Sequence, residues 1–268
     1  MKQISILGCG WLGLPLAKSL LQKGNRVYGS TTSVEKISVL ENAGITPFLI
    51  RLSDVNIEGE INSFLKNSEI LIIDIPPKLR SDSSENFVGK IQNLIPFIEN
   101  SSVKKVLFVS STSVYSEDNT TITEETIPNP DTDSGKQLVE VEQLLQSNKH
   151  FQTTVIRFGG LIGEDRHPIQ FLAGRTNLEN PEGPINLIHQ MDCIGIIEAI
   201  LLQDSKGNET FNAVAPYHPT RKEYYTQKAL ELKLPLPQFN ESKPSIGKLI
   251  SCDKVEQVLG YSFSKNKL

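Results

Sequence analysis

The stretch QISILGCGWLGLPLAKSLLQKG, residues 3–24, decides the fold. A short apolar run, Ile4 to Leu7, ends in Gly8, Gly10 and Gly13, and apolar residues at helical spacing follow. Glycines spaced G-x-G-x-x-G between a strand and a helix mark a dinucleotide-binding turn. The first permits the tight turn, the second admits a pyrophosphate to the backbone, and the third lets helix and strand pack closely. The helix start then offers unpaired N–H groups to phosphate.

Outward from this turn, strand-like and helix-like patterns alternate. RVYGS, ITPFLIRL, EILIIDI, VKKVLFVSS and TTVIRFGG read as five further strands, with a helix over 87–98 and another over 134–145. Such alternation predicts an α/β fold, a Rossmann-type doubly wound parallel sheet with helices on both faces. Beyond Gly160 the chain turns to loops rich in Gly, Pro and His, with PINLIHQ as a strand and MDCIGIIEAILLQ as a helix. The expected organisation is a Rossmann domain over 1–160 and a smaller C-terminal substrate lobe over 161–268, with re-entry into the first domain around 184–215. The acidic connection SEDNTTITEETIPNPDTD, 116–133, exceeds ordinary loop length and is a candidate site wall, mobile segment or solvated loop.

Composition narrows the partners. A chain of 268 residues, 38% hydrophobic, can bury a full core. Its net charge of −4 comes from interspersed acids and bases, so neither nucleic acid nor an anionic membrane is indicated. A small-molecule substrate, and a second copy of the chain, are the partners left. The three cysteines, Cys9, Cys193 and Cys252, form no disulfide or metal pattern, and no metal site is expected. No signal-peptide core or membrane span is read, which points to the cytoplasm.

At the end of the second strand, where an NAD enzyme offers an acid to the ribose, Thr31 stands with Ser30, Thr32 and Ser33 beside it and Lys36 one helical turn on. Hydroxyls and a cation suit a 2′-phosphate, so NADP is favoured, with NAD the alternative. Thr32 and Glu35 also fit a capping box for the next helix. Asp54 stands where such folds often contact the adenine, or is a turn residue.

VLFVSSTSVYS, 106–116, places hydroxyls at the carboxyl end of a strand, where ligands bind open α/β sheets. With the glycine turn, this stretch resembles the short-chain dehydrogenase/reductase superfamily, in its extended and atypical branches of NAD(P)-dependent epimerases and dehydratases. EETIPNP, VEQLL, RFGGLIGEDR, NLIHQMDCIGII and VLGYSF continue the resemblance along nearly the whole chain. It implies an oxidoreductase or epimerase acting on a small polar, carbonyl or sugar-like substrate. Ser111 matches the family's active-site Ser/Thr, with Ser110 and Thr112 as neighbouring alternatives. The expected cofactor contacts are Gly8, Gly10, Trp11, Leu12, Gly13, Ser30, Thr31, Thr32, Lys36, Asp54, Ile75, Pro76, Ser110, Phe158 and Gly159. Helices at 87–98 and 134–145 often pair subunits in this family, so a homodimer is the assembly the resemblance suggests.

The same alignment exposes a departure. Family members carry Tyr-x-x-x-Lys in the helix after the acidic loop, the lysine lowering the tyrosine's pKa so that it moves the substrate proton. Here Ser134 and Leu138 occupy those positions. Lys136 is turned away by roughly 200° around the helix. Ser134 and Gln137 instead fit a capping box. Substitute acid/base candidates are Tyr115, His167 and His189; their plainer roles are packing, exposure and linking the lobes. Asp192 fits a helix cap. Arg157, Arg166 and Arg221 are candidates for holding an anionic substrate group. A non-catalytic NADP-binding sensor or regulatory module is the competing reading. The β-hydroxyacid dehydrogenases also open on such a glycine turn, but too few residues follow the sixth strand for their helical C-terminal domain.

Overall fold

The computed structural model describes residues 2–77, 86–203 and 207–264. Seven parallel strands form the central sheet: β1 (Gln3–Leu7), β2 (Arg26–Thr31), β3 (Thr46–Leu49), β4 (Ile70–Ile73), β5 (Lys105–Ser111), β6 (Gln152–Phe158) and β7 (Glu209–Ala213). They lie in the order β7-β6-β5-β4-β1-β2-β3, so the strand order reverses between β1 and β4. Ligands of open α/β sheets bind at that reversal, outside the carboxyl ends of the strands.

Strands β1 and β4 are buried along their whole length; β4 is accordingly an unbroken apolar run, while the buried polar side chains of β1, Gln3 and Ser5, are hydrogen-bonded to Ser68. Helices α1 (Gly13–Gln22), α2 (Ile37–Asn42), α3 (Phe87–Glu99), α4 (Asp133–Ser147) and α5 (Gln190–Leu202) accompany the sheet. Helix α5 packs on α1, and Glu198 accepts from both Ser19 and Lys23, each at 2.6 Å. Later come α6 (Arg221–Glu231) and α7 (Asp253–Leu259). A second apolar cluster, including Ile162, Ile169, Ile185, Leu187, Tyr224 and Tyr225, forms a smaller core around α6.

Several local expectations are corrected. The run ITPFLIRL is not one strand: after Leu49 the chain turns, and Arg51–Leu52 pairs antiparallel with Ile57–Glu58. Six sheet strands were expected and β7 makes a seventh, pairing with β6 in register Phe211 to Ile156. The Thr32–Glu35 capping box does not form; Thr31 Oγ1 accepts the Ser33 N–H and Glu35 takes the Ser33 hydroxyl. Helix α4 is capped by Thr132, which accepts from Gly135 at 3.1 Å, not by Ser134. Gln137 turns instead to the Phe87 N–H, 2.7 Å away, and ties α4 to the start of α3.

Asp192 is not the cap of α5 either. His189 Nδ1 accepts the Met191 N–H there, while fully buried Asp192 accepts from Tyr261 Oη and from the Ser264 N–H and hydroxyl, at 2.7–2.8 Å. It fastens the segment after α7 to the helix layer. The acidic connection at 116–133 is likewise fastened: Thr121–Ile122 pairs parallel with Leu249–Ile250.

Beneath the carboxyl edge of β5 and β6 lies a buried ion pair. Glu142 of α4 accepts two bonds from Arg157 Nε at 3.1 Å, one from Arg157 Nη2 at 2.5 Å, and one from Ser110 Oγ at 2.6 Å. Arg157 Nη1 donates to Tyr115 Oη, which in turn donates to Asn212 Oδ1 of β7 at 3.0 Å. Removing one member strands a buried charge. Glu142→Gln is therefore expected to cost about 3–5 kcal/mol in urea unfolding. Glu142→Leu combined with Arg157→Met should recover most of that loss; equal or greater destabilisation in the double variant would show the pair to be a net stabiliser.

Candidate functional site

The three glycines of the first turn do different work. Gly8 has φ of 107°, and an added Cβ would lie 2.3 Å from the Asp74 carbonyl oxygen. At Gly13 an added Cβ would lie 2.2 Å from the Gly8 carbonyl oxygen. Both must be glycine for the protein's own packing. Gly10 differs: its φ is not in the left-handed region and an added Cβ would meet nothing within 4 Å. Beside it, among the described residues, the N–H groups of Trp11 and Leu12 have no acceptor. Open space and unpaired donors at the start of a ten-residue helix make a cradle for phosphate.

Trp11 flanks this cradle. Its indole donates to Asp165 at 2.8 Å, Gln190 Nε2 donates to its carbonyl at 2.7 Å, and Arg166 lies over its ring at 5.0 Å. Leu12 is buried and precedes α1. Ile75 and Pro76 follow β4, and Ile75 Cγ2 lies 3.0 Å from where Gly8 would carry a Cβ. Phe158 is buried at the end of β6, and an added Cβ at Gly159 would strike the Asn186 carbonyl oxygen at 2.5 Å.

At the end of β2, Ser30 Oγ accepts the Gly8 N–H at 2.9 Å, so this hydroxyl braces the turn from beneath. Thr32 and Lys36 are exposed. Arg51, which the sequence reading passed over, arches back across the β2–β3 edge and donates through Nε and Nη2 to the Thr32 carbonyl, at 3.4 and 3.2 Å. Only the adjacency of β2 and β3 brings it there. Asp54 is exposed, its Cβ 2.9 Å from where Gly89 would carry one, over the start of α3.

The substrate-side candidates are scattered by the fold. Ser111 ends β5 with its Oγ accepting the Ser113 N–H at 3.1 Å, and it lines a cavity of about 460 Å³. Glu117, Asn186, Arg221, Tyr225 and Lys248 share that cavity. Ser110 points the other way, to Glu142. Tyr115 is buried in the Arg157 network, and burial raises its pKa despite the neighbouring guanidinium. His167 has both nitrogens engaged, Nδ1 by the Ile169 N–H and Nε2 by Tyr224 Oη. Burial, then Lys228, push its pKa down to about 4. His189 Nδ1 caps α5, and its Nε2 lies 3.8 Å from Glu164 Oε1. None of these three lines the Ser111 cavity.

Arg157, a candidate anion ligand from sequence, is corrected: Glu142 already neutralises it in the interior. Two other cations stand in the cavity wall, Arg221 and Lys248; Lys248, 6% exposed, donates to the Tyr115 carbonyl at 2.6 Å and pairs with Glu117 at 3.0 Å. Sequence gave no local signal for it. Tyr224 and Lys228 have Tyr-x-x-x-Lys spacing on α6, but that hydroxyl meets His167, outside the cavity. Among the described residues no group of three or more His, Cys, Asp or Glu could hold a metal ion, and no helix is long and apolar enough to cross a membrane.

Asp74 closes the turn from the β4 side, its Oδ2 3.0 Å from where Gly13 would carry a Cβ. Burial pushes its pKa from 3.8 to about 8, although the Gly13 N–H bond pulls it down. Between about pH 4 and 8 the folded chain holds a proton that the unfolded chain has released. Stability therefore falls as pH rises through that window, by up to about 1.4 kcal/mol per pH unit, and levels off above it. Asp74→Asn is expected to remove this slope and to be more stable than the wild type at pH 8, measured by urea unfolding across pH 5–9; identical slopes would place the titration elsewhere.

No family model matches the chain. Among solved structures it is similar to a conserved protein of unknown function from Silicibacter pomeroyi (TM-score 0.81, 20% identity, covering 100% of this chain and 95% of that one). It is similar also to UDP-glucuronic acid 4-epimerase from Bacillus cereus in complex with NAD (TM-score 0.81, 17% identity, 98% and 92% covered). At those identities the likeness shows a shared Rossmann-like fold. Sequence carries further: the chain is 35% identical to Protein YeeZ of Escherichia coli K12 over 265 residues, 98% of this chain and 96% of that protein. The same figures hold for Protein YeeZ of Escherichia coli O157:H7. Identity of that order over nearly the whole of both chains means that the chain belongs to the YeeZ family.

Proposed function

We propose that the chain is an NADP(H)-binding oxidoreductase or epimerase of the short-chain dehydrogenase/reductase kind, acting on a small polar substrate in the cavity beside Ser111. The observation that carries the reading is Gly10: neither backbone conformation nor packing requires glycine there, and the donors beside it lack acceptors. A dinucleotide pyrophosphate fits that vacancy of purpose, and the Bacillus cereus epimerase of the same fold is in complex with NAD. When bound, the nicotinamide would supply or accept the hydride.

This chain's residues would do the rest. Gly10, Trp11 and Leu12 hold phosphate; Thr32, Lys36 and Arg51 surround the ribose end and favour NADP over NAD. Ser111 would donate its hydroxyl hydrogen to the substrate oxygen. With Ser134 and Leu138 in place of a Tyr–Lys pair, proton transfer falls to groups of the cavity wall, and the Lys248–Glu117 pair is the one with a charged partner already in place.

Calorimetric titration with NADPH and NADH tests the reading. Both should bind, NADPH at least tenfold tighter, and Arg51→Ala should remove most of that preference while sparing NADH. Gly10→Ala should leave the unfolding free energy within about 0.5 kcal/mol of wild type, as for a substitution into open space. Its dinucleotide affinity should fall at least tenfold. Binding of neither nucleotide would end the proposal; tight binding with no turnover of any carbonyl or hydroxy substrate would favour the non-catalytic sensor.

A further inference from the structure

We propose that the cavity beside Ser111 takes a substrate bearing an anionic group, a carboxylate or phosphate, and that Arg221 holds that group. The inference rests on the reading of this cavity as the substrate site. Three arginines were candidates from sequence, and the fold separates them. Arg157 is neutralised by Glu142, and Arg166 lies over the Trp11 indole. Arg221 lines the cavity, and no hydrogen bond or ion pair engages its guanidinium among the described residues. Its Nε–H is enclosed without any acceptor. Buried donors in folded proteins nearly always have partners, so a cavity-lining arginine whose Nε–H has none points to an acceptor from outside the chain.

Position sharpens the argument. Arg221 is the first residue of α6, where the helix dipole disfavours a cation. The backbone nevertheless fixes it: its N–H donates to the Gly183 carbonyl at 2.9 Å, and the helix start is secured by the Thr220–Glu223 capping box. Glu223, the nearest acid in sequence, is used up in that box and makes no ion pair with Arg221. The Tyr225 ring supports the guanidinium at 5.7 Å. In the same cavity wall Lys248 is already matched by Glu117. Of the three charged groups in the wall, Arg221 alone is unbalanced, so one negative charge completes the site. The planar guanidinium suits a two-oxygen acceptor. Such a ligand would place its anion at Arg221 and its reacting carbon toward Ser111.

The test is thermal-shift and calorimetric titration of the full chain with sodium phosphate and with sodium malonate, against sodium chloride at matched ionic strength. Wild type should bind at least one of the two oxyanions saturably, phosphate alone indicating a phosphate ester and malonate alone a carboxylate. Arg221→Gln should bind at least tenfold more weakly, with Arg221→Lys intermediate. The ligand-free Arg221→Gln protein should melt no lower than wild type, because an uncompensated cation has been removed, and its NADPH affinity should be unchanged. Responses to phosphate and malonate no different from chloride, or undiminished binding in Arg221→Gln, would overturn the proposal. Oxyanion binding without any NADPH binding in the wild type would instead defeat the cofactor reading and leave the anion site standing.

Discussion

The buried Glu142–Arg157 pair fixes the geometry on which the site depends. Ser110 and Ser111 are neighbours on β5, so their side chains leave the strand on opposite faces. Because Glu142 claims the Ser110 hydroxyl at 2.6 Å, Ser111 is left on the cavity side. The other end of the network reaches Tyr115, whose carbonyl receives Lys248 at 2.6 Å. A chain of direct contacts thus runs from α4 through β6 to the cation in the cavity wall. An apolar replacement of equal volume could fill the same space, but it would not orient a serine hydroxyl and a lysine at once.

Legibility in the sequence followed how local each determinant is. Strand β4 and the centre of β5, Val106 to Val109, announce themselves because strands covered on both faces carry continuous apolar residues. β7 does not, since its sequence ETFNA sits at the sheet edge with Glu209 and Thr210 half-exposed. The glycine turn is legible because its backbone path restricts which residues can stand there. Capping motifs were misread for the opposite reason: Gln137 has the right spacing from Ser134, yet a tertiary acceptor role at Phe87 outcompetes the local one. Asp192 carries the same lesson, for the pattern of a helix cap is equally the pattern of an anchor for Tyr261 and Ser264.

The functional side chains divide along the same line. Ser111 is legible as a strand-end hydroxyl because the strand and its hydroxyl cluster are contiguous in sequence. Arg51 and Lys248 were not, because their roles come from the pairing of β2 with β3 and of Thr121–Ile122 with Leu249–Ile250. Arg157 looked like a ligand because charge alone is visible in sequence, whereas its neutralisation by Glu142, fifteen residues earlier on another element, is not.

Helix α4 packs between the turn that follows Ser111 and the apolar core. At Gly135 an added Cβ would lie 2.3 Å from the Ser113 carbonyl oxygen, so the helix start is seated directly against the turn that follows Ser111. Leu138, where the resemblance expects a lysine, is 3% exposed and belongs to the apolar core. A charged group at that position would be buried without a partner, which the surrounding core does not supply. The helix's inward polar contacts are Glu142 to Arg157 and Gln137 to the Phe87 N–H, while the cations of the cavity, Lys248 and Arg221, belong to later parts of the chain. The charged groups of the cavity, Glu117, Arg221 and Lys248, thus come from other elements, while the first turn keeps an open, donor-lined helix start.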